Sequence, residues 1–130
     1  MTREEKVQYW LNVVEYDLET AEAMHKTKRW LYVGFMCHQV IEKTLKAYWC
    51  HVHDDDPPYT HNHTRIAEGC GLFAKMSEEQ VNFLDKIANY NIVARYPEYK
   101  AALAQTLDAA VTRELIEETK QLYQWILQEF

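Results

Sequence analysis

A chain of 130 residues with 48% hydrophobic side chains can bury one substantial core, and only three glycines and three prolines argue for helices over turn-rich sheet. The formal net charge of −6 argues against a nucleic-acid surface spread over the whole molecule, while leaving a local basic patch open to Lys43, Lys46, Arg65 and Arg95. Three cysteines with no C-x-x-C spacing, a charged N-terminus and no bilayer-length apolar run point to reduced thiols, no signal peptide and a cytoplasmic protein.

In chain order, Thr2 with Glu5 reads as a capping box, followed by a helix to about Lys26–Lys28 that buries Val7, Trp10, Leu11, Val14, Leu18 and Ala21. Glu4, Glu15, Glu19 and Glu22 fall mostly on its outer side. A second helix spans about Arg29–Val52, and the short link makes the two an antiparallel pair. This second helix is apolar nearly all round, as a central bundle helix must be, yet His38, Glu42 and Lys46 recur every four residues along one stripe. Burying that stripe is costly unless the charges are paired or line a wet surface.

Asp54-Asp55-Asp56-Pro57-Pro58 ends the helix and opens an irregular crossover, residues 51–62. A short helix is predicted over Thr64–Phe73. Ser77 and Gln80 form a second capping box, and the helix they start should reach about Ala94, burying Val81, Leu84, Ile87, Ala88 and Tyr90, with Pro97 as its stop. Arg95–Tyr99 reads as an ordered loop and Lys100–Ala110 as partly helical. Thr112 caps a last helix burying Leu115, Leu122, Trp125 and Ile126. No period-two alternation competes with this pattern. The expectation is an all-α, up-and-down four- to five-helix bundle forming one domain over residues 1–130.

The order of these signals resembles the HEPN domain (higher eukaryotes and prokaryotes nucleotide-binding). The matching pieces are Trp10…Tyr16-Asp17-Leu18…Ala21, Cys37-His38-Gln39…Glu42-Lys43…Lys46-Ala47, Thr60-His61-Asn62 and Ala94-Arg95-Tyr96-Pro97, closed by an amphipathic helix. The resemblance implies a helical bundle that often forms a homodimer and often pairs with a minimal nucleotidyltransferase, as in toxin–antitoxin systems. Ribonucleases of the family carry an Arg and, four to six residues on, a His near the end of the fourth helix. Here no His follows Arg95, so the chain resembles the Arg-Tyr-Pro branch, for which nucleotide or partner binding is the usual proposal.

Each constellation has a functional and a structural reading. Arg95 offers a planar fork to phosphate and Tyr96 a ring to stack; structurally, Arg95 caps a helix end or pairs with Glu42 while Tyr96 packs on the bundle. Glu42 orients Arg95, and Lys43 and Lys46 add positive potential, or the stripe with His38 is a buried polar network. The resemblance makes His61 the start of the next helix, packed back on the second, with Thr60 or Asn62 as its N-cap. The His- and Asp-rich loop from His51 to His63 matches no established metal pattern, so neither metal nor cofactor is expected. Cys37 reads as core, and for Cys50 and Cys70 the expectation is a place nearer the surface. The surplus of aromatics in the N-terminal half points to an interface. Three functions stay open: a nucleotide- or RNA-phosphate-binding module partnered by a nucleotidyltransferase, a divergent metal-independent endoribonuclease, and a ligand-free dimeric adaptor.

Overall fold

The computed structural model describes residues 1–93 and 95–130. Among them the chain is wholly helical: α1 (Arg3–Lys26), α2 (Trp30–Val52), α3 (His63–Gly69), a 3-10 turn at Phe73–Lys75, α4 (Glu78–Ala88), α5 (Pro97–Ala104) and α6 (Ala109–Glu129). No helix among the described residues is long and apolar enough to cross a membrane.

The first two helices form the predicted antiparallel hairpin. Thr2 Oγ1 accepts the Glu5 amide at 3.1 Å and starts α1. At its other end the chain reverses through Lys28, whose φ of 63° is the left-handed conformation that follows many helices. Helix α2 packs against α1, α3, α4, α5 and α6, which makes it the axis of the bundle. Val33, Val40, Ile41, Leu45 and Ala47 are fully buried there, and Ile66, Leu84, Ile87, Leu115, Ile116 and Ile126 close around them. The periodicity therefore identifies the central helix, and the physical reason is the one argued from sequence: apolar side chains on every face need neighbours on every face.

Polar contacts fix how the helices meet. Lys43 Nζ donates to Asp17 at 2.6 Å between α2 and α1. Arg113 and Lys120 of α6 converge on Glu22 of α1 at 2.7 and 2.9 Å, and Tyr123 Oη donates to Glu15 at 2.5 Å. Glu22 and Glu15 thus face α6, where sequence alone put them mostly on the outer side. The guanidinium of Arg113 and burial act in opposite directions on Glu22, and the cations prevail, holding its carboxyl down at about 2.

Several boundaries differ from the prediction. Asn62 caps α3 through the Arg65 amide at 3.1 Å, so this helix starts one residue before Thr64 and stops at Gly69. The capping box of Ser77 and Gln80 forms as expected, but α4 stops at Ala88; the predicted end at Ala94 lies outside the described residues. Tyr90 instead turns back on α2, where its ring lies 2.6 Å from the place a Cβ would occupy at Gly34. Pro97 is the first residue of α5 rather than only the stop of the preceding helix, a position its fixed φ and missing N–H suit. The cap of α6 is Asp108, whose carboxylate accepts the Val111 amide at 2.8 Å; Thr112 is fully buried and donates its hydroxyl to the Asp108 carbonyl at 2.6 Å.

The crossover after α2 is tied down at both ends. Arg3 and Lys6 of α1 pair with Asp54 and Asp56, the latter at 3.0 Å, and His53 Nε2 donates to the Gly69 carbonyl at 2.8 Å. His51 packs against Tyr48 and Phe130. His51, His53, Asp54 and Asp56 are thus held by separate partners, and among the described residues no group of three candidate metal ligands gathers.

Candidate functional site

The stripe on α2 is buried: His38 is 1% exposed, Glu42 4% and Lys46 9%. The two oxygens of Glu42 serve two partners. Oε2 accepts from Lys46 Nζ at 3.1 Å, one turn further along α2, and Oε1 accepts from His61 Nδ1–H at 2.8 Å. The segment just before α3 carries His61, so the predicted packing of that histidine onto α2 is present, and the cost of burying the carboxylate is met by two charge-assisted bonds. Glu42 orients His61, not Arg95.

His38 and His63 lie ring against ring beside this pair, with centroids 4.2 Å apart. His63 Nε2 donates to the His38 carbonyl at 2.9 Å, which leaves Nδ1 bare; that atom is buried and has no partner among the described residues. Burial first, and then the neighbouring imidazole, push His38 down to about 3, although Glu42 pulls the other way. Burial pushes His63 down to about 4. Both rings are therefore neutral at physiological pH.

These groups line a cavity of about 460 Å³ between α2, α3 and α4 whose wall includes His38, His61, His63, Asp85, Asn91 and Arg95. Arg95 sits on the turn between α4 and α5, its amide bonded to the Ile92 carbonyl at 3.1 Å. Its guanidinium lies 4.8 Å from the centre of the Tyr99 ring, and Tyr99 Oη in turn donates to the Asn89 carbonyl at 3.3 Å. Among the described residues no carboxylate lies within ion-pair distance of Arg95. This is an exposed cation, seated on an aromatic ring, at the mouth of a cavity floored by histidines.

Of the seven residues singled out from sequence, three converge here: Arg95, His61 and His38. Glu42 stands behind His61. Lys46 lies on the other side of Glu42 and lines a different cavity. Lys43 points to α1 and is neutralised by Asp17. Tyr96 is 80% exposed and does not pack on the bundle. Sequence reasoning missed His63, Tyr99, Asp85 and Asn91. His63 reads from sequence only as part of a metal-like loop; its spacing from His61 is the available signal, since residues either side of a helix start can face the same neighbour. Nothing in the sequence marks Asp85 or Asn91, which are ordinary polar residues of α4 and the turn after it.

The arrangement can hold an anion. Arg95 supplies a planar donor fork, and His61, held by the Glu42 carboxylate, brings an imidazole to the same cavity. Lys43 and Lys46, the lysines of α2, are already balanced by Asp17 and Glu42.

A family model described as the HEPN domain matches residues 7–130. In three dimensions the chain is similar to TT1696 from Thermus thermophilus, with a TM-score of 0.80 over 100% of each chain and 16% sequence identity. At that identity the likeness speaks for the fold alone. No curated protein matches the sequence.

Proposed function

The chain belongs to the HEPN domain family, and from that premise we propose that it is a nucleotide- or RNA-phosphate-binding module whose phosphate docks at Arg95. One observation carries the reading: Arg95, free of any carboxylate partner among the described residues, shares a cavity with His38, His61 and His63. A phosphate there meets a planar donor fork on one side and the Glu42-held imidazole on the other. The acidic molecule as a whole repels polyanions, so binding is confined to this corner and weakens as salt screens it.

The working unit of the module is a homodimer that pairs with a minimal nucleotidyltransferase, as in a toxin–antitoxin couple. The resemblance of the Arg-Tyr-Pro segment to such members supports the partner. Exposed aromatics support a protein interface: Tyr16, Tyr32 and Tyr96 are 71%, 48% and 80% exposed.

A second reading, a metal-independent endoribonuclease, is favoured by the Glu42–His61 pair alone. A carboxylate holding Nδ1–H leaves Nε2 as a base within the same cavity as Arg95. His61 would then replace the histidine that the sequence lacks after Arg95.

Thermal shift against ATP, GTP and a short RNA, with Arg95→Ala alongside, tests the first reading. The wild type should melt higher with at least one ligand, since a ligand specific for the native state stabilises it, and Arg95→Ala should lose that shift while melting unchanged without ligand. An unchanged ligand shift in Arg95→Ala would remove the phosphate from this corner. Metal-free RNA cleavage, abolished by His61→Ala, would replace the binding module with the enzyme.

A further inference from the structure

A second cavity, of about 450 Å³, opens between the start of α1, the C-terminal half of α2 and the Pro57-Pro58 loop. Its walls carry Tyr9, Trp10 and Tyr59, with the Tyr9 ring edge-on to Trp10 at 5.7 Å between centroids. Tyr59 is fully exposed and Tyr9 is 55% exposed, so neither contributes to the core. Lys46 enters from α2, its ammonium 5.7 Å from the centre of the Trp10 ring. That ammonium has three N–H donors. One goes to Glu42, and the others have no hydrogen-bond partner among the described residues, although the side chain is only 11% exposed. Its remaining donors can be taken by water or by the acceptors of a ligand in the cavity.

Charge decides what kind of acceptor. Lys46 is balanced by Glu42, and the other lysine of this cavity, Lys6, by Asp56. Both lysines of this cavity are therefore already paired and leave no free side-chain cation for a phosphate, whereas Arg95 has no ion-pair partner among the described residues. It offers flat aromatic faces and the remaining donors of Lys46, which fit a neutral planar ring edged with carbonyl or ring-nitrogen acceptors. We infer that this cavity is a nucleobase pocket, with the base stacked on Trp10 and Tyr59 and its acceptors turned to Lys46. The choice of a nucleobase among heteroaromatic rings rests on the nucleotide-binding reading above; the stacking and the paired lysines do not.

The sources are a free nucleoside or nucleotide and a base of a single strand. Along α2, His38 and Lys46 are eight residues apart, about 12 Å at 1.5 Å per residue, so one short strand could reach both cavities.

The test is a nitrogen-15 NMR titration of the indole N–H signals with adenosine and uridine, which carry no phosphate, and then with a trinucleotide. The chain has four tryptophans, so Trp30, Trp49 and Trp125 serve as internal references for Trp10. The Trp10 signal should move saturably with at least one nucleoside at millimolar concentration, and Tyr59→Ala should weaken that binding by about tenfold or more, as loss of one stacking face does. Arg95→Ala should leave nucleoside binding unchanged and weaken only the trinucleotide if a single strand is the source; equal trinucleotide binding in both proteins would assign the pocket to free nucleosides. A Trp10 signal that stays still with both nucleosides, or that moves equally in Tyr59→Ala, would overturn the pocket whatever becomes of the Arg95 site. A Trp10 response without any phosphate effect at Arg95 would leave the pocket standing and remove the phosphate proposal.

Discussion

Glu42 is the residue on which most depends. Its carboxylate is 4% exposed and balances both Lys46 and His61. Glu42→Gln would keep the shape and leave a nearly buried ammonium without its counter-charge. Breaking a buried pair from one side costs about 3–5 kcal/mol, and the partial exposure of Lys46 puts the expected loss at the lower end. Urea unfolding checks it: a midpoint close to wild type would mean that water, not Glu42, carries the Lys46 charge. Part of this network was legible in the sequence, because charges spaced by four residues on an otherwise apolar helix have to be paired. The partner was not. Nothing local joins Glu42 to His61, nineteen positions away; the bond exists because the crossover loop returns the chain to the middle of α2. Lys43 departs from its expected place for a related reason. It is adjacent to Glu42 in sequence, but one residue along a helix is a turn of about 100° to another face, where Asp17 waits.

At the scale of elements, the long helices were readable and the short ones were not. Helices α1, α2 and α6 have apolar stripes long enough to fix their period. Helix α4 has a clear cap and stripe, yet its end depends on Tyr90 lying against Gly34, a contact between segments 56 residues apart, counted from 90 less 34. That close approach also positions the turn that carries Asn91 and Arg95. Gly34→Ala would push a methyl group into the Tyr90 ring and should destabilise by about 1–3 kcal/mol, as overpacking does. Because the displaced ring belongs to the turn, the same substitution should weaken ligand binding at Arg95. A thermal melt and a binding titration read the two effects; wild-type values for both would detach the turn from α2. The caps show a similar contrast. Thr2 and Ser77 are plain in the sequence because each precedes a clear helical stripe, whereas Asp108 and Thr112 both offer side-chain oxygens at the start of α6, and burial of Thr112 decides between them.

For the whole molecule, the neutral histidines at the centre set the response to acid. His38 and His63 are held at about 3 and about 4, below the ordinary value of 6.5. Between those limits the unfolded chain binds protons that the folded chain refuses. Stability should therefore be complete above about pH 7 and fall as pH drops through 6.5 towards 4, by about 2 kcal/mol per histidine from pH 7 to 5. The Glu22 carboxyl, lowered from 4.5 to about 2, adds its loss only at lower pH, below 4.5. Urea midpoints at pH 7, 6 and 5 measure the slope; a flat profile in that window would mean that the two adjacent imidazoles accept protons inside the fold. The all-helical class and the family were evident from the order of signals along the chain, but the two cavities were not, since each is walled by segments that meet only when the crossover and the α4–α5 turn fold back on α2.

The most direct test of the phosphate reading is carbon-13 NMR of the six imidazoles during titration with a mononucleotide and with inorganic phosphate. His38, His61 and His63, which line the cavity, should move together and saturably, His25, His51 and His53 should stay still, and Arg95→Ala should abolish the response. Signals that move evenly over all six, or not at all, would contradict a phosphate site at Arg95.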